Sequence, residues 1–421
     1  MDVLLIGGGG REHALAWKLK QSPKLGKLFI APGNAGTREL GENIAISATD
    51  IPALIQFVQK NAIGLTIVGP DDPLALGIVD EFRKRNLRIF GPTKASAQIE
   101  SSKAYAKALM KEANIPTADF ETFTDYEAAL AYVRRKGAPI VVKASGLALG
   151  KGVSVCATLE EAEKALNEIM VQHIHKEAGN EVVIEEFLLG QEISIHVLCD
   201  GIDFKMFPAA QDHKRALDDD QGKNTGGMGT IAPVPWVTPE MMYSIERTIV
   251  RPTLEALSFK SGPFAGMLFP GIIMTMNGPK VLEFNARFGD PETQVYMRLM
   301  KNDLLDVLNA VVDKTLGQIN MEWLPMHAAN IVLASGGYPD AYEKGFEITG
   351  LEEAGKMEEI VVFHAGTTQE GGIVKTAGGR VLGVSSLGSP LKSALARAYA
   401  AADKIQFQGK HMRRDIGAKS I

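Results

Sequence analysis

The first 92 residues of this 421-residue chain alternate short apolar runs with helical segments, and this alternation constrains the fold more than any other feature. The runs at 3–6, 27–31, 65–68 and 87–90 have the length of buried strands, and each stops at glycine or proline. Strands that alternate with helices form a parallel sheet with helices on its faces. Open sheets of this kind bind ligands at the carboxyl ends of their strands, where these glycines lie.

The rest of the chain predicts two further α/β parts. Runs at 140–143, 152–156 and 182–187 read as strands around two helices, and a strand at 280–288 follows. From residue 327 the pattern changes to strands followed by one C-terminal helix. We therefore predict an α/β multidomain protein that begins with an open parallel α/β sheet domain.

Composition and charge exclude several classes of protein. Lys and Arg number 45 and Asp and Glu number 50, and this net charge of −5 argues against a nucleic-acid partner. Two distant cysteines provide neither a disulfide framework nor a metal knuckle. The longest charge-free run, 261–279, contains three prolines and four glycines, which a membrane helix would not tolerate. Because the start of the chain resembles no leader segment, we expect a cytoplasmic protein without a membrane partner.

Four successive glycines, Gly7–Gly10, lie between the first predicted strand and the first helix. The dinucleotide-binding pattern G-x-G-x-x-G does not fit here. If it starts at Gly7, Glu12 occupies the position of its third glycine, and if it starts at Gly8, His13 does. The free N–H groups of a helix start still bind anions, and Arg11 adds a positive charge. The pattern favours a phosphate-bearing substrate, and a tight turn without a ligand is the alternative.

A second glycine-rich segment runs from Lys143 to Gly152. It does not fit the P-loop pattern for two reasons. Its first glycine, Gly146, is one residue too close to Gly150, and Gly152 stands where Ser or Thr would bind magnesium. Strands on both sides predict a mobile hairpin whose N–H groups and Lys151 close over phosphates. Lys143 would reach the same phosphates, unless it is only a solvated strand end.

The segment 280–288 combines apolar and polar residues in alternation. Since strand side chains alternate between faces, we expect Val281, Glu283, Asn285 and Arg287 on one face and an apolar opposite face. Carboxylate and amide oxygens are magnesium ligands, and a guanidinium can bind a carboxylate or phosphate through two N–H groups. A half-exposed sheet face is the alternative.

Two weaker signals lie between these segments. The residues 185–188 leave a strand and could present backbone groups to a purine edge, with Glu192 on ribose hydroxyls. The charged residues 211–215 and the glycine-rich loop 224–229 suit an anionic substrate, although an exposed loop without a role explains them too.

The motifs together resemble the ATP-grasp ligases, and within that superfamily the glycinamide ribonucleotide synthetase family. The resemblance covers residues 1 to about 417, and its motifs are Gly7–Ala14, Ala31–Gly36, Val68–Pro70, Lys143–Gly152, Gln211–Lys214, Asn224–Gly229 and Glu283–Thr293. It implies an N-terminal domain at 1–102, a central ATP-grasp domain at 103–325 and a C-terminal mixed α/β domain at 326–421. A small mobile lobe at about 117–190 is nested in the central domain.

The resemblance also implies a reaction and its residues. ATP, glycine and 5-phosphoribosylamine would give glycinamide ribonucleotide, ADP and phosphate through a glycyl phosphate, in purine biosynthesis, with Mg²⁺ or Mn²⁺ and a monomeric enzyme. Catalytic roles fall on Arg287, Lys143 and Asp212, and metal binding on Glu283 and Asn285. Expected nucleotide contacts are Lys103, Lys143, Gly150, Lys151, Gly152, Glu185, Glu186, Phe187, Leu188, Glu192 and Lys214. Expected substrate contacts are Gly9, Gly10, Arg11, Glu12, Asn34, Gly69, Pro70, Asp212, Lys214, Thr225, Gly226 and Arg287.

Three alternative functions remain open at this point. Another ATP-grasp ligase could phosphorylate a different acid, as a purine-pathway carboxylase does, but the Gly7 and Thr225 loops favour the glycine reaction. A non-catalytic nucleotide-binding protein would not require the polar face of 283–287. A dehydrogenase is disfavoured by the broken dinucleotide fingerprint.

Overall fold

The computed structural model describes residues 1–148 and 152–421. Its N-terminal part is a five-stranded parallel sheet with the strand order β3-β2-β1-β4-β5. The strands are β1 (Val3–Gly7), β2 (Leu28–Pro32), β3 (Glu42–Asn43), β4 (Leu65–Val68) and β5 (Ile89–Phe90). The strand order reverses at β1, so a crevice opens at its carboxyl end between the loops that follow β2 and β4.

Helices pack on this sheet as the alternating pattern predicts. They are α1 (Gly10–Leu19), α2 (Ile51–Lys60), α3 (Asp71–Leu76), α4 (Ile78–Arg83) and α5 (Lys94–Ser101). Alternate residues of β1 face two different apolar cores, so Leu5 packs towards α1 and Leu4 towards α2 and α4. The predicted open α/β domain is confirmed.

The lobe is a separate antiparallel sheet with its own core. Helix α6 (Lys103–Glu112) leads to β6 (Phe120–Phe123), α7 (Tyr126–Lys136), β7 (Ile140–Ala144), β8 (Val153–Cys156), α8 (Leu159–Leu166) and β9 (Val182–Glu186). The strand order is β6-β9-β7-β8, and α7 and α8 pack together on the sheet.

A second antiparallel sheet faces the lobe. It has the order β10-β17-β11-β12, with β18 paired to β17. Its strands are β10 (Gln191–Ser194), β11 (Val197–Asp200), β12 (Phe204–Met206), β17 (Ala265–Thr275) and β18 (Gly278–Asn285), and α9 (Pro239–Ile245) and α10 (Arg251–Ser261) contribute to its core. The Lys143 side chain on β7 reaches the Leu282 carbonyl on β18, so the two sheets enclose a cleft.

A third sheet joins the middle of the chain to its C-terminal part. Its antiparallel order is β13-β16-β19-β23-β20. The strands are β13 (Gln211–Asp212), β16 (Gly229–Ala232), β19 (His327–Ala334), β20 (Ile360–His364) and β23 (Arg380–Gly388). Two hairpins lie outside this sheet: β14 (Arg215–Leu217) pairs with β15 (Gln221–Asn224), and β21 (Thr367–Glu370) pairs with β22 (Ile373–Thr376). The helices of this part are α11 (Glu292–Leu299), α12 (Leu304–Val312), α13 (Leu351–Gly355) and α14 (Leu391–Lys404).

One prediction about β18 is wrong. Val281 does not share a face with Glu283, because a β-bulge separates the pairs Ile272–Val281 and Gly271–Glu283 and shifts the alternation by one residue. Val281 packs instead in one core with Phe284 and Ala286. The strand also ends at Asn285, so Arg287 lies in the turn that follows it.

Within the described residues, no helix combines the length and the apolar character needed to cross a membrane.

Candidate active site

The glycine loop, Gly7–Gly10, wraps around the side chain of Glu12. Glu12 Oε2 accepts a hydrogen bond from Gly9 N at 2.6 Å, and Glu12 Oε1 lies 2.6 Å from Arg11 Nε. A Cβ atom on Gly69 would lie 2.1 Å from the same carboxylate, so this loop too requires glycine. Because both oxygens of Glu12 already have donors, the groups left for a ligand are the first N–H groups of α1.

The Asn34 side chain connects the glycine loop to the C-terminal part of the chain by hydrogen bonds. Its amide nitrogen donates to Gly8 O at 3.0 Å and to His364 O at 2.8 Å, and its amide oxygen accepts from Gly36 N and Thr37 N. The side chain predicted to contact substrate is therefore buried and bonded within the protein.

The lysine cleft is lined by Lys103, Lys107, Lys143, Glu185, Lys214 and Glu283. Lys143 Nζ lies 2.9 Å from Glu185 Oε1 and donates to Leu282 O at 3.0 Å. Lys107 Nζ lies 3.2 Å from the other oxygen of Glu185. Each oxygen of this buried carboxylate therefore faces one lysine ammonium group.

Lys107 was missed by the sequence predictions. Its side chain is only 2% exposed, and burial lowers its pKa to about 8. It also donates to Thr117 Oγ1, which in turn donates to Val281 O, so it links the lobe to β18. The available signal was its place on the buried face of α6, next to Ala106 and Met110.

Lys214 joins the two carboxylates at the other side of the cleft. Its Nζ lies 3.1 Å from Glu283 Oε1 and 3.5 Å from Glu192 Oε2. Lys214 lowers the pKa of Glu283 to about 2, and Lys143 and Lys103 add to this effect against the opposing effect of burial. Burial by itself would lower the pKa of Lys214, but its carboxylate neighbours raise it above the usual value.

The turn after β18 holds Arg287 against three acceptors. Arg287 Nη2 donates to Asn285 Oδ1 at 3.0 Å and lies 3.1 Å from Glu100 Oε1, and Nη1 donates to Phe288 O at 3.3 Å. Glu100 was not among the predicted site residues. Burial raises the pKa of this carboxyl to about 7.

Glu283 and Asn285 offer oxygen atoms of the kind that magnesium and manganese ions take. Both follow the bulge on β18, and the carboxyl of Glu283 stays ionised because its pKa is low. Among the described residues there is no group of three or more His, Cys, Asp or Glu side chains that could hold a metal. One carboxylate and one amide suit magnesium, which keeps waters and phosphate oxygens among its ligands.

The loop 225–227 closes the junction between the second and third sheets. Thr225 Oγ1 donates to Lys214 O at 2.8 Å, and Gly226 O accepts from Arg380 Nη1 at 2.5 Å. Gly227 has φ +109°, and a Cβ there would lie 2.5 Å from Asp212 Oδ1. Burial and then the neighbouring Glu292 raise the pKa of Asp212 well above its usual value.

The remaining predicted residues lie beside the lysine cleft or beside the glycine loop. Glu186 and Phe187 are exposed and Leu188 is half-buried where the chain leaves β9, and Gly152 O accepts from Ala144 N next to the cleft. Gly69 and Pro70 precede α3 beside the glycine loop. Gly150 and Lys151 lie outside the described residues.

A cleft between two antiparallel sheets, lined by lysines and carboxylates, defines the ATP-grasp class of enzymes. Family models of phosphoribosylglycinamide synthetase match the chain in three segments: the N domain at residues 1–100, the ATP-grasp (A) domain at 101–293 and the C domain at 328–419. The chain belongs to the phosphoribosylglycinamide synthetase family. The predicted resemblance and fold class are confirmed.

Known relatives match over the whole length of the chain. A phosphoribosylamine–glycine ligase from Pasteurella multocida is 50% identical over 424 residues, covering 100% of this chain and 98% of its own. The crystal structure of a phosphoribosylamine–glycine ligase from Thermotoga maritima has a TM-score of 0.85 and 34% identity, covering 99% of this chain and 100% of its own. The biotin carboxylase domain of a Hydrogenobacter thermophilus carboxylase, at 16% identity and a TM-score of 0.73 over 97% of this chain and 91% of its own, shares the fold alone.

Proposed function

We propose that this chain joins glycine to 5-phosphoribosylamine with ATP, giving glycinamide ribonucleotide, ADP and phosphate in purine biosynthesis. The observation that carries the proposal is one shared carbonyl. Phe288 O accepts from Arg11 Nη1 at 3.0 Å and from Arg287 Nη1 at 3.3 Å. Because Arg11 follows the glycine loop and Arg287 follows β18, this contact would bring the proposed amine site and the proposed carboxylate site side by side.

The chemistry requires activation of the glycine carboxylate. A carboxylate resists attack by an amine because it is anionic and has no good leaving group, so transfer of a phosphoryl group to it must come first. Catalysis of such a transfer is mostly positioning and neutralisation of charge. Lys103, Lys143 and Lys214 supply positive charge in the cleft, and Glu185 and Glu192 would hold the adenine and ribose.

Divalent metal would complete this neutralisation. A magnesium or manganese ion on Glu283 and Asn285 would withdraw charge from the phosphate oxygens. The chain's own groups then handle the acyl phosphate: Arg287 would hold its carbonyl oxygen. Asp212 would accept the proton released by the attacking amine, a role that requires the charged form of its carboxyl.

The amine substrate would lie against the glycine loop. The first N–H groups of α1 and the guanidinium of Arg11 suit its phosphate, because a helix start attracts anions. The loop at Gly69 and Pro70 and the loop at Thr225 and Gly226 would enclose its ribose. Glu12 and Asn34 support this site through the loop, since their own polar atoms are bonded within the protein.

A direct assay tests the proposed reaction. ADP release is measured with glycine and freshly made phosphoribosylamine, and again with each substrate omitted. We expect turnover only in the complete mixture. Turnover with bicarbonate in place of glycine, and none with glycine, would identify a carboxylase-type ATP-grasp enzyme instead. ATP binding without turnover under any of these conditions would favour a non-catalytic nucleotide-binding protein.

Two further properties belong to this proposal. We expect a monomer, which light scattering of the purified chain at working concentration would check. A cytoplasmic location also remains a prediction from the sequence, and cell fractionation would test it.

A further inference from the structure

Glu100 is a buried carboxylate that the proposed reaction does not use. It lies in the last turn of α5, three residues before Lys103 of the lysine cleft, and its side chain is 7% exposed. A carboxylate removed from water in this way needs partners that compensate for its lost hydration. Its partners identify what it does.

The two oxygens of Glu100 hold two successive residues of the turn after β18. Oε2 accepts from Ala286 N at 2.7 Å, and Oε1 lies 3.1 Å from Arg287 Nη2. The pairing of β18 with β17 ends at Asn285, so Ala286 N lies beyond the strand ladder and Glu100 supplies its acceptor. One carboxylate thus fixes both the main chain and the guanidinium.

Glu100 is also the one carboxylate at ion-pair distance from Arg287 in residues 1–148 and 152–421. The other two acceptors of the guanidinium, Asn285 Oδ1 and Phe288 O, are neutral. Charge-assisted hydrogen bonds are roughly twice as strong as neutral ones, so Glu100 in its charged form, which Arg287 favours, dominates the orientation of this side chain. Arg287 Nε has no acceptor within the described residues and the side chain is 18% exposed, so the protein does not use the whole hydrogen-bonding capacity of the guanidinium.

We propose that Glu100 is a positioning residue for ligation, which holds the Arg287 guanidinium in the orientation that binds the carboxylate of the amino-acid substrate. The inference rests on the proposed function, in which Arg287 holds that carboxylate. Glu100 itself acts through Arg287 and does not touch substrate. Removing its charge would therefore impair use of glycine and spare binding of ATP.

The test compares Glu100→Gln and Glu100→Asp with the wild-type chain. Gln keeps an oxygen that can accept from Ala286 N but removes the charge that faces Arg287, and Asp keeps the charge on a shorter side chain. We expect Glu100→Gln to lower kcat/KM for glycine at least tenfold, while the Kd for ATP stays within twofold. Glu100→Asp should recover part of the loss.

Glu359→Gln is the matched control. Glu359 Oε2 lies 3.2 Å from Arg298 Nη2, so this change removes the same charge from another carboxylate–arginine pair away from the cleft. All kinetic constants should stay within twofold. A double variant combines Glu100→Gln with Arg287→Lys. If both residues act as one unit, its kcat/KM for glycine should fall by far less than the product of the two single fold-losses.

Two outcomes would overturn the inference alone. An active wild type with an unchanged kcat/KM for glycine in Glu100→Gln would show that Arg287 needs no such support. Loss of ATP binding and of thermal stability together, without recovery in Glu100→Asp, would make Glu100 a residue of the fold. A wild-type chain without glycine-dependent ADP release would instead overturn the proposed function, and this inference with it.

Discussion

The glycine loop and the lysine cleft both suit anions, but they use their side chains in opposite ways. In the glycine loop, Glu12 and Asn34 are bonded within the protein, so backbone N–H groups are left for a ligand. In the cleft, Lys143 and Lys214 pair with Glu185 and Glu283, and ammonium groups can exchange such partners for phosphates. The glycine loop would therefore recognise its ligand through the shape of the backbone, and the lysine cleft would recognise its ligand through charge.

The largest effect is expected for Glu283→Gln, which tests the charge-based region. The change removes the anion that pairs with Lys214 and the proposed metal ligand, so kcat should fall on the order of 10²-fold or more. The magnesium concentration for half-maximal activity should rise sharply in an ADP-release assay. Glu163→Gln, on the lobe surface against Arg134, should leave both values unchanged. An unchanged magnesium requirement would reject the metal role.

Asn34→Asp tests the shape-based region. It replaces an amide donor by a carboxylate that faces the carbonyls of Gly8 and His364, and the unpaired buried groups should cost about 3 kcal/mol of unfolding free energy. The KM for phosphoribosylamine should rise about tenfold, because the loop loses its shape, while ATP binding should persist. Chemical denaturation and steady-state kinetics measure the two effects. A raised KM without lost stability would mean that Asn34 touches substrate directly.

Lys107→Met separates binding from stability inside the cleft. The Kd for ATP should rise about fivefold, since Glu185 would then draw Lys143 away from phosphate. Thermal stability should stay the same or rise, because burial already disfavours the charge on Lys107 and Glu185 keeps Lys143 as a partner, so no buried charge is left unpaired. Calorimetric titration and a thermal melt measure these quantities. A large loss of stability would show that the Lys107–Glu185 pair holds the lobe together.

The smallest effect concerns pH and the same lysine. The pKa of Lys107 is lowered to about 8, so this group loses its charge as the pH rises through 8. ATP affinity should fall a few-fold between pH 7 and 9 in the wild type and remain flatter in Lys107→Met. Between pH 8 and its ordinary pKa the unfolded chain binds more protons at this lysine, so its contribution to stability should rise with pH. Equal pH dependence in both proteins would contradict the assignment.

The fold was predictable where a pattern is local. The runs that stop at glycine or proline predicted the parallel sheet, and the strands that flank the second glycine-rich segment predicted the pairing of β7 with β8, because these signals lie within a few residues. The β-bulge on β18 was not predicted, since it depends on the pairing with β17; its trace in the sequence is the adjacent apolar pair Val281 and Leu282, which interrupts the alternation.

The same reasoning explains which site residues were missed. Lys143 and Glu283 lie on strands and Arg287 follows one, and all three carry an evident chemistry, so their pattern pointed to a site. Glu100 lies 187 residues before Arg287, and no spacing rule connects two groups so far apart. Asn34 was expected to contact substrate because of the family resemblance, and only the folded chain shows how many of its atoms are bonded within the protein.

The third sheet has a consequence for any attempt to divide the molecule. Strand β16 comes from the middle of the chain and pairs with β19 along Gly229–Ala232, so a fragment that begins at residue 326 would lose this neighbour. Its β19 would then offer a bare row of N–H and C=O groups, buried apolar side chains on either side, to any other strand it met. Such a fragment should self-associate when expressed alone, and adding back residues 211–232 as a separate peptide should keep it dispersed.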